Sequence, residues 1–311
     1  MDSKLNISLF CATDRGVQFL KKLKELLPSA NLIVISFQEE PWEPKYLNKI
    51  RSLVRKFGGK FFLWDDIKDN DQEFWKNLYI DITFVVSWRY YISEEIYGKS
   101  KIGSYLFHDS LLPENRGFSP TIWSIIKGKN YTGVTLLEIG KKIDSGDIIY
   151  QTKIPFNKKD QISKILSLVT NQYLTILSDN LKNIINGKII KTPQNDELAT
   201  YNPRRSLTDN IIDWQLSANM IYNKIRALTK PYPGAFTYLN KNKLIIWNAS
   251  IVRKSYENNN NEPGSLMEII KNKGVVVKTG HGYLLLENFQ TENCKPQNSS
   301  HVIKNLDLVL G

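Results

Sequence analysis

Residues 104–120, SYLFHDSLLPENRGFSP, join a predicted strand to a predicted helix and decide how the rest of the chain is interpreted. The first five residues predict a short buried strand that ends at His108. Pro113 stiffens the loop that follows, and Gly117 and Pro120 open a helix predicted over residues 121–127. Ligands of open α/β sheets bind at the carboxyl ends of the strands, so His108 is a candidate functional residue.

Apolar runs alternate with helical segments on the N-terminal side of this stretch. The apolar runs cover residues 6–13, 32–37, 60–64 and 82–88, and helical spacing covers residues 16–27 and 45–57. Strands separated by helices favour a parallel sheet that is covered on both faces. The predicted fold class is therefore α/β, with a Rossmann-like, mostly parallel sheet.

The pattern changes on the C-terminal side. Extended runs at 133–139 and 147–155 precede a long amphipathic helix predicted over residues 161–185. A helix is predicted at 217–229, and beyond it short β-like runs lie at 235–239, 243–247, 274–278 and 282–289. Gly- and Asn-containing turns separate them, at 240–242, 258–261 and 280–282. This pattern predicts a small β-barrel-like domain of the OB type.

The domain organisation follows from a polar segment between these parts. Residues 191–205, KTPQNDELATYNPRR, contain two prolines and predict a linker. We therefore expect a catalytic domain over residues 1–190 and a β-rich domain over residues 206–311.

The composition narrows the function classes. Two cysteines provide no disulfide framework and three histidines exclude a histidine-rich metal site, so we expect no metal. No apolar stretch approaches the ~18 residues of a membrane span, and no signal peptide is visible, so a soluble cytoplasmic protein is expected. The net charge of +11 leaves three interpretations open: compositional drift, a phosphate-bearing small substrate, or a folded nucleic acid such as tRNA.

Several common enzyme motifs are missing from the sequence. A single glycine, Gly16, follows the first strand, so there is no dinucleotide fingerprint. There is also no Walker A sequence, no G-x-S-x-G and no HExxH. NAD oxidoreductases, P-loop enzymes and α/β-hydrolases are therefore disfavoured.

A second polar motif, Asp144-Ser-Gly-Asp147, lies one strand and one helix beyond His108. Taken singly, a histidine at a strand end is often a buried structural residue, and this motif is often a simple turn. Together they are more informative, because a carboxylate fixes the tautomer of a histidine and raises its basicity.

The stretch around His108 resembles the H-x-S-L-L-P-x-x-R-G-x-x-P signature of the 10-formyltetrahydrofolate-dependent formyltransferases. Residues 132–147, TGVTLLEIGKKIDSGD, are similar to the second signature of that superfamily, T-G-V-T…D-x-G-D. Residues 212–214, IDW, and 225–238, IRALTKPYPGAFTY, resemble the C-terminal domain that methionyl-tRNA formyltransferases share with sugar-nucleotide N-formyltransferases.

The resemblance implies that a substrate amine attacks the formyl carbon of 10-formyltetrahydrofolate, the co-substrate. His108 and Asp144 match the family's catalytic histidine and aspartate. The family's asparagine should stand two residues before His108, where this chain has Leu106. Three explanations are open. His108 as imidazolium, a backbone amide or a water could stabilise the oxyanion, another donor such as Ser110 or Asn115 could replace the asparagine, or formyl transfer could be lost.

The resemblance also implies binding residues. Trp88-Arg89-Tyr90 resembles the sugar-nucleotide branch, and the expected folate contacts are Trp88, Arg89, Tyr90, Ile139, Gly140, Ile143 and Asp144. The candidate sugar-nucleotide contacts are Ser110, Arg116, Gly117, Arg204 and Arg205.

The acceptor is predicted to be a nucleotide-linked amino sugar of surface polysaccharide biosynthesis. Residues 38–45, QEEPWEPK, are short and acidic where the tRNA-binding branch has a basic insertion, so we expect no nucleic acid as a partner. We also expect no membrane partner, and a homodimer. The alternatives are a methionyl-tRNA formyltransferase and a catalytically impaired folate-binding homologue.

Overall fold

The computed structural model describes residues 4–68, 71–256, 261–291 and 294–311. The chain divides into two compact units. The first comprises Met1–Pro120, Thr132–Ile154 and Ser167–Pro203, and the second comprises Thr121–Tyr131, Pro155–Leu166 and Arg204–Gly311.

Strands and helices alternate through the first half of the chain, as the apolar pattern predicts. In order they are β1 (Asn6–Cys11), α1 (Thr13–Leu26), β2 (Asn31–Ser36), α2 (Leu47–Lys56), β3 (Lys60–Leu63), α3 (Trp64–Ile67), α4 (Asp71–Lys76), β4 (Ile80–Val86), α5 (Glu94–Tyr97), β5 (Ser100–His108), β6 (Arg116–Gly117), α6 (Pro120–Ile126), β7 (Tyr131–Glu138), β8 (Ile148–Pro155), α7 (Ile162–Ile185) and β9 (Tyr201–Asn202).

The first unit is built on a seven-stranded sheet with the order β3-β2-β1-β4-β5-β7-β8. Strands β1 to β5 pair in parallel, and β7 runs antiparallel to β5. All seven residues of β4 are buried, because helices such as α1 pack against the central strands. The predicted Rossmann-like, mostly parallel sheet is confirmed.

The second unit contains an antiparallel sheet. Its later elements are α8 (Ala218–Leu228), β10 (Ala235–Leu239), β11 (Asn242–Val252), β12 (Leu266–Ile270), β13 (Gly274–Lys278), β14 (Tyr283–Thr291), β15 (Gln297–Asn298) and α9 (Ser299–Val302). The strand order is β10-β11-β14-β13-β12, with β15 on β14. The predicted β-rich C-terminal part is confirmed, and within the described residues β10 and β12 are the two ends of the sheet.

The turns of this sheet match the sequence where they are described. Asn240 and Lys241 both have positive φ, 49° and 68°, and join β10 to β11 in a tight hairpin. Three residues of the predicted turn at 258–261 lie outside the described residues. None of the helices in the described ranges combines the length and apolar composition that crossing a membrane requires.

Candidate active site

His108 is the last residue of β5 and is buried, with 7% of its surface exposed. Its two ring nitrogens face two different acceptors. Nε2 lies 2.9 Å from the carbonyl oxygen of Asn115, and Nδ1 lies 3.5 Å from Oδ2 of Asp144. The structure thus brings the predicted histidine and aspartate together at the carboxyl edge of the parallel strands.

The loop after β5 folds back so that Asn115 reaches the histidine. The Ser110 hydroxyl donates to the carbonyl of Glu114 at 2.6 Å, and the Glu114 N–H donates to the carbonyl of Leu111 at 3.0 Å. Asn115 has φ +57°, in the left-handed region that asparagine tolerates better than most residues. This turn points the Asn115 carbonyl at Nε2 of His108.

Asp144 approaches His108 from the tight loop between β7 and β8. Asp144 has φ +51°, and its Oδ2 accepts a hydrogen bond from the Gly117 N–H at 2.7 Å. The loop closes because Gly146 packs directly on backbone: a Cβ there would collide with the carbonyl oxygen of Glu138. The glycine of the Asp144-Ser-Gly-Asp147 motif is therefore what lets the loop place Asp144.

Residues 192–202 form a segment, the strap, that is hydrogen-bonded to the loop after β5. Thr192 exchanges two backbone hydrogen bonds with Ile148, at 2.8 and 2.9 Å. At the other end β9 pairs in parallel with β6, and the Asn115 N–H donates to the Thr200 hydroxyl at 2.8 Å. The polar composition predicts a linker here, whereas the structure bonds this segment to the site through backbone groups that composition does not reveal.

The guanidinium of Arg116 is buried, with only 1% of the residue exposed, and holds the strap. Nε and Nη2 donate to Gln194 Oε1 at 3.1 and 2.8 Å, Nη2 also donates to Asp196 Oδ1 at 2.7 Å, and Nη1 donates to the Tyr201 hydroxyl at 2.9 Å. Burial opposes the charge, but the hydrogen bonds to Tyr201 and Asp196 outweigh it and raise the pKa of Arg116. Arg116 was predicted to bind substrate, and in the structure its guanidinium binds the strap.

Comparisons with known proteins bear on what this site does. The family described as "Formyl transferase" matches residues 38–190, and "Formyl transferase, C-terminal domain" matches residues 206–306. A methionyl-tRNA formyltransferase of Sulfurihydrogenibium sp. is 32% identical over 300 residues, which cover 94% of this chain and 95% of that protein. The chain belongs to the formyltransferase family.

Two further relatives are informative. The bifunctional polymyxin resistance protein ArnA of Wigglesworthia glossinidia brevipalpis is 42% identical over 187 residues. The aligned part makes up 60% of this chain and 28% of the length of ArnA. The N-formyltransferase from Helicobacter canadensis, solved with folinic acid and dTDP-3-aminofucose, matches with a TM-score of 0.69 at 19% identity, over 92% of this chain and 99% of that chain. The latter likeness shows a shared fold.

Leu106 sets this formyltransferase apart from the family motif. It pairs in register with Val85 on β4 and Leu137 on β7, so the sheet is apolar at this level. Ser110, one possible replacement donor, is 1% exposed, and its hydroxyl donates to the Glu114 carbonyl. The strand residues beside Leu106 therefore provide no side-chain donor in place of the family's asparagine.

Trp88 and Tyr90 belong to an aromatic cluster at the carboxyl ends of β1 to β4. The Trp88 ring lies 5.1 Å from Phe10, 5.2 Å from Phe37 and 5.5 Å from Trp64, measured between centroids. The Trp88 indole N–H is buried and has no hydrogen-bond partner within the described residues. Tyr90 is 38% exposed. The cluster thus combines an exposed aromatic surface with an unsatisfied donor.

Arg89 is paired inside the first unit of the formyltransferase. Its guanidinium stacks over Phe37 at 4.3 Å, and Nη2 lies 2.5 Å from Glu43 Oε1. Glu39 is buried and accepts a hydrogen bond from the N–H of Leu47, the first residue of α2, at 3.3 Å. The acidic segment 38–45 is therefore held by specific contacts to Arg89 and to the start of a helix.

The other predicted folate contacts lie on the loop that carries Asp144. The Ile139 N–H donates to the Ser104 carbonyl at 2.9 Å, and Gly140 packs against Gly146. Ile143 is 53% exposed, next to Asp144. The loop thus has a fixed base and an exposed apolar side chain.

Arg204 and Arg205, the predicted diphosphate contacts, lie in the second unit. Arg204 is exposed. Arg205 is half-buried, its Nη1 donates to Asn210 Oδ1 at 3.0 Å, and burial lowers its pKa.

A buried charge cluster next to His108 in the chain was not predicted from the sequence. Arg15 Nη1 donates to both carboxylate oxygens of Asp109, at 2.7 and 2.9 Å, and its guanidinium stacks over Tyr173 at 4.6 Å. The Tyr173 hydroxyl contacts Asp109 and donates to the Phe107 carbonyl at 2.9 Å. The one available signal was the aspartate directly after His108. No cluster of metal-ligating side chains is found in the described part of the chain.

Proposed function

We propose that this enzyme transfers the formyl group of 10-formyltetrahydrofolate to the amine of a nucleotide-linked amino sugar, in the cytoplasm and for surface polysaccharide biosynthesis. The observation that carries the proposal is the contact between His108 and Asp144 at the carboxyl edge of the sheet, 3.5 Å between Nδ1 and Oδ2. The choice of a sugar acceptor is supported by the acidic segment 38–45, whose Glu43 pairs with Arg89, and by the shared fold of the N-formyltransferase solved with dTDP-3-aminofucose.

The hydrogen bonds of His108 indicate where its protons lie. The Asn115 carbonyl can only accept, so Nε2 carries a proton when this bond is made. Asp144 is an acceptor opposite Nδ1, and a second proton on Nδ1 turns the ring into an imidazolium paired with that carboxylate. In that form the positive charge of the ring would stabilise a nearby oxyanion, while both N–H groups face protein acceptors. In the neutral form Nδ1 is the ring nitrogen that would accept the proton that the amine loses.

This use of His108 explains how the site could work with Leu106. An amide donor aimed at an oxyanion is typically worth ~10²–10³ in rate. A positively charged ring at position 108 would stabilise an oxyanion through its charge, even while its two N–H groups face Asn115 and Asp144. The proposal therefore assigns to His108 both the electrostatic and the proton-transfer role, with Asp144 orienting it.

The residues around this pair fit a folate co-substrate, which supplies the formyl group. The partly exposed Tyr90 ring suits stacking with a planar heterocycle. The residues that would hold it are Trp88, Arg89, Tyr90, Ile139, Gly140, Ile143 and Asp144. Arg89 would contribute through its stacking and its pairing with Glu43 rather than as a free charge.

Five residues were predicted to contact the sugar nucleotide, and three of them already bond within the first unit. Ser110, Arg116 and the Gly117 N–H are all engaged within the site. The proposal therefore keeps Arg204 and Arg205 as the diphosphate contacts, because phosphate is recognised by arginine through charge-assisted hydrogen bonds.

Two other candidate functions have specific support. Methionyl-tRNA formylation is supported by the relative of Sulfurihydrogenibium sp., which is matched over 95% of its length, and by the net charge of +11. A folate-binding protein without transfer activity is supported by Leu106 and its apolar register partners Val85 and Leu137.

The test is a formylation assay of the purified protein with 10-formyltetrahydrofolate, a panel of dTDP- and UDP-linked amino sugars, and methionyl-tRNA. Mass spectrometry of the acceptor detects the added formyl group, and the His108→Asn variant serves as the inactive control. Formylated sugar nucleotide supports the proposal, and formylated methionyl-tRNA replaces it with the second candidate. Binding of 5-formyltetrahydrofolate in calorimetry without transfer to any acceptor replaces it with the third.

A further inference from the structure

The side chain of Gln194, in the strap, donates hydrogen bonds to the backbone of the loop that carries Asp144. We propose that Gln194 is a positioning residue, which sets the orientation of the Asp144 carboxylate against His108. The proposal rests on the proposed function, because it assigns to Asp144 the role of orienting His108.

All hydrogen-bonding positions of the Gln194 amide are used. Oε1 accepts from Nε and Nη2 of Arg116 at 3.1 and 2.8 Å. Nε2 donates to the backbone carbonyls of Asp144 and Gly146, at 2.9 and 2.7 Å. Guanidinium groups only donate and carbonyls only accept, so only one orientation of the amide satisfies both sides.

Asp144 needs such a contact because its backbone is strained. Its φ of +51° is uncommon for a residue with a Cβ, and a conformation of this kind persists only where its surroundings hold it. Two groups hold Asp144 from opposite ends: Gln194 binds its carbonyl, and the Gly117 N–H binds its carboxylate at 2.7 Å.

The same three-residue stretch connects both members of the catalytic pair to the strap. The Asn115 carbonyl faces Nε2 of His108, and the Arg116 guanidinium donates to Gln194. The Gly117 N–H donates to the Asp144 carboxylate. Arg116 is 1% exposed and its pKa is raised by the hydrogen bonds to Tyr201 and Asp196 against the effect of burial, so it remains a charged donor. Arg116 thus fixes the amide oxygen of Gln194, and the amide nitrogen orients Asp144.

The main test is Gln194→Glu. The glutamate keeps an acceptor for Arg116 but cannot donate to the carbonyls of Asp144 and Gly146. We expect kcat to fall by about 10- to 100-fold, as expected for a slight misplacement of catalytic groups, with KM for both substrates nearly unchanged. Glu197→Gln, an equally conservative change at an exposed position of the strap, is the control and leaves kcat unchanged.

A double-variant comparison separates positioning from stability. If Gln194 acts through Asp144, the Gln194→Glu change costs little further activity in an Asp144→Asn background. A purely structural contact would lower the melting temperature and reduce the residual activity equally in both backgrounds, and that result would overturn the proposal. Gln194→Ala, which removes both sets of bonds, provides the same comparison if the glutamate variant does not fold.

A measurement that needs no turnover distinguishes this proposal from the proposed function. The chain has three histidines, so the ring nitrogen signals of His108 can be assigned in 15N NMR by their loss in His108→Asn. Gln194→Glu should shift these signals and Glu197→Gln should not. Shifted signals in a protein that formylates no acceptor would reject the proposed function and keep the positioning role. Unchanged signals and unchanged kcat in folded Gln194→Glu would reject the positioning role.

Discussion

Arg15 and Asp109, 94 positions apart in the sequence, form an ion pair in which Arg15 Nη1 donates to both carboxylate oxygens, at 2.7 and 2.9 Å, next to His108 in the chain. Arg15 is 9% and Asp109 14% exposed in their side chains, so the pair is largely removed from water. Asp109 follows His108 in the chain, and its position is further fixed by Tyr173. The pair therefore anchors the end of β5, which carries the candidate catalytic histidine.

Removing one partner of this pair should destabilise the protein strongly. Arg15→Met leaves the Asp109 carboxylate buried without its main partner, and breaking a buried pair in this way typically costs about 3–5 kcal/mol of unfolding free energy. Lys22→Met breaks the more exposed pair with Glu25 on the same helix and should cost no more than about 0.5 kcal/mol. Urea unfolding measures the unfolding free energy of both variants. Equal losses would show that the Arg15–Asp109 pair stabilises the protein no more than the exposed pair does.

Replacing either member of the His108–Asp144 pair should remove activity without unfolding the protein. His108→Asn eliminates the imidazole, and Asp144→Asn eliminates the carboxylate proposed to orient it, so kcat should fall on the order of 10³-fold in each case. The assay is formyl transfer at saturating substrates, with the melting temperature as the control for folding. Retention of most activity by a folded His108→Asn enzyme would contradict the assignment.

Leu106 allows a gain-of-function prediction. Leu106→Ala should change kcat only modestly, because the leucine supplies packing and no polar group. Leu106→Asn restores the amide of the family motif two residues before His108, and if the pocket is otherwise competent it should raise kcat by up to ~10²-fold. Initial rates of the three proteins measure this effect. No gain in a stably folded Leu106→Asn enzyme would contradict this prediction and show that an amide at position 106 does not contribute to oxyanion stabilisation.

Much of the fold follows from the sequence, because hydrophobic periodicity and chain order determine it. The run at 82–88 predicts a strand, and β4 is observed at Ile80–Val86 with every residue buried. By contrast β12, Leu266–Ile270, was not predicted, because five residues without clear alternation give no strong period-two signal. Similarly, the polar composition of residues 191–205 predicts a linker, whereas Tyr201–Asn202 pair with Arg116–Gly117.

The site was predictable only where its residues lie in recognisable motifs. The sequence identifies His108 and Asp144 through two signatures, and the structure places them in contact. It could not identify Gln194, because its role depends on bonds to two backbone carbonyls that only the folded chain brings within reach. The same limit applies to Arg116: a motif arginine can bind a ligand or brace a loop, and only its burial and partners distinguish these roles.

The stability of the protein should decline at alkaline pH. Burial raises the pKa of Tyr105 to about 12, and it raises the pKa values of Tyr173 and Cys11 well above their usual range. The unfolded chain loses the cysteine proton at about pH 8.5 and the tyrosine protons at about pH 10, while the native state retains them, so the unfolding free energy falls as the pH rises through about 8 and above. Below about pH 7.5 both states are protonated at these groups and the effect is absent.

Urea unfolding between pH 8 and about pH 11 measures this dependence. Tyr105→Phe removes one of the responsible groups and should flatten the slope, whereas Tyr79→Phe, at a side chain that is 62% exposed, should leave it unchanged. Equal slopes for all three proteins would contradict the role assigned to Tyr105.

The salt dependence of ligand binding should distinguish a nucleotide sugar from tRNA. The affinity of a protein for duplex nucleic acid falls about as the −0.9Z power of salt when it neutralises Z phosphates, whereas one diphosphate offers only two charges. We therefore expect a shallow dependence for a dTDP- or UDP-linked amino sugar. Arg204→Glu and Arg205→Glu together should weaken this binding by roughly 1–3 kcal/mol if these residues meet the diphosphate.

The controls for this measurement follow from the structure. Arg205 donates to the buried Asn210, so its variant must also be checked for loss of melting temperature, whereas Arg204 is exposed and its single variant tests the charge alone. Lys241→Glu, in the exposed hairpin between β10 and β11, makes the same charge change away from the linker and should leave binding unchanged. Tight binding of initiator tRNA that weakens steeply with salt, together with formylation of its methionine, would reject the sugar acceptor and establish the tRNA function in its place.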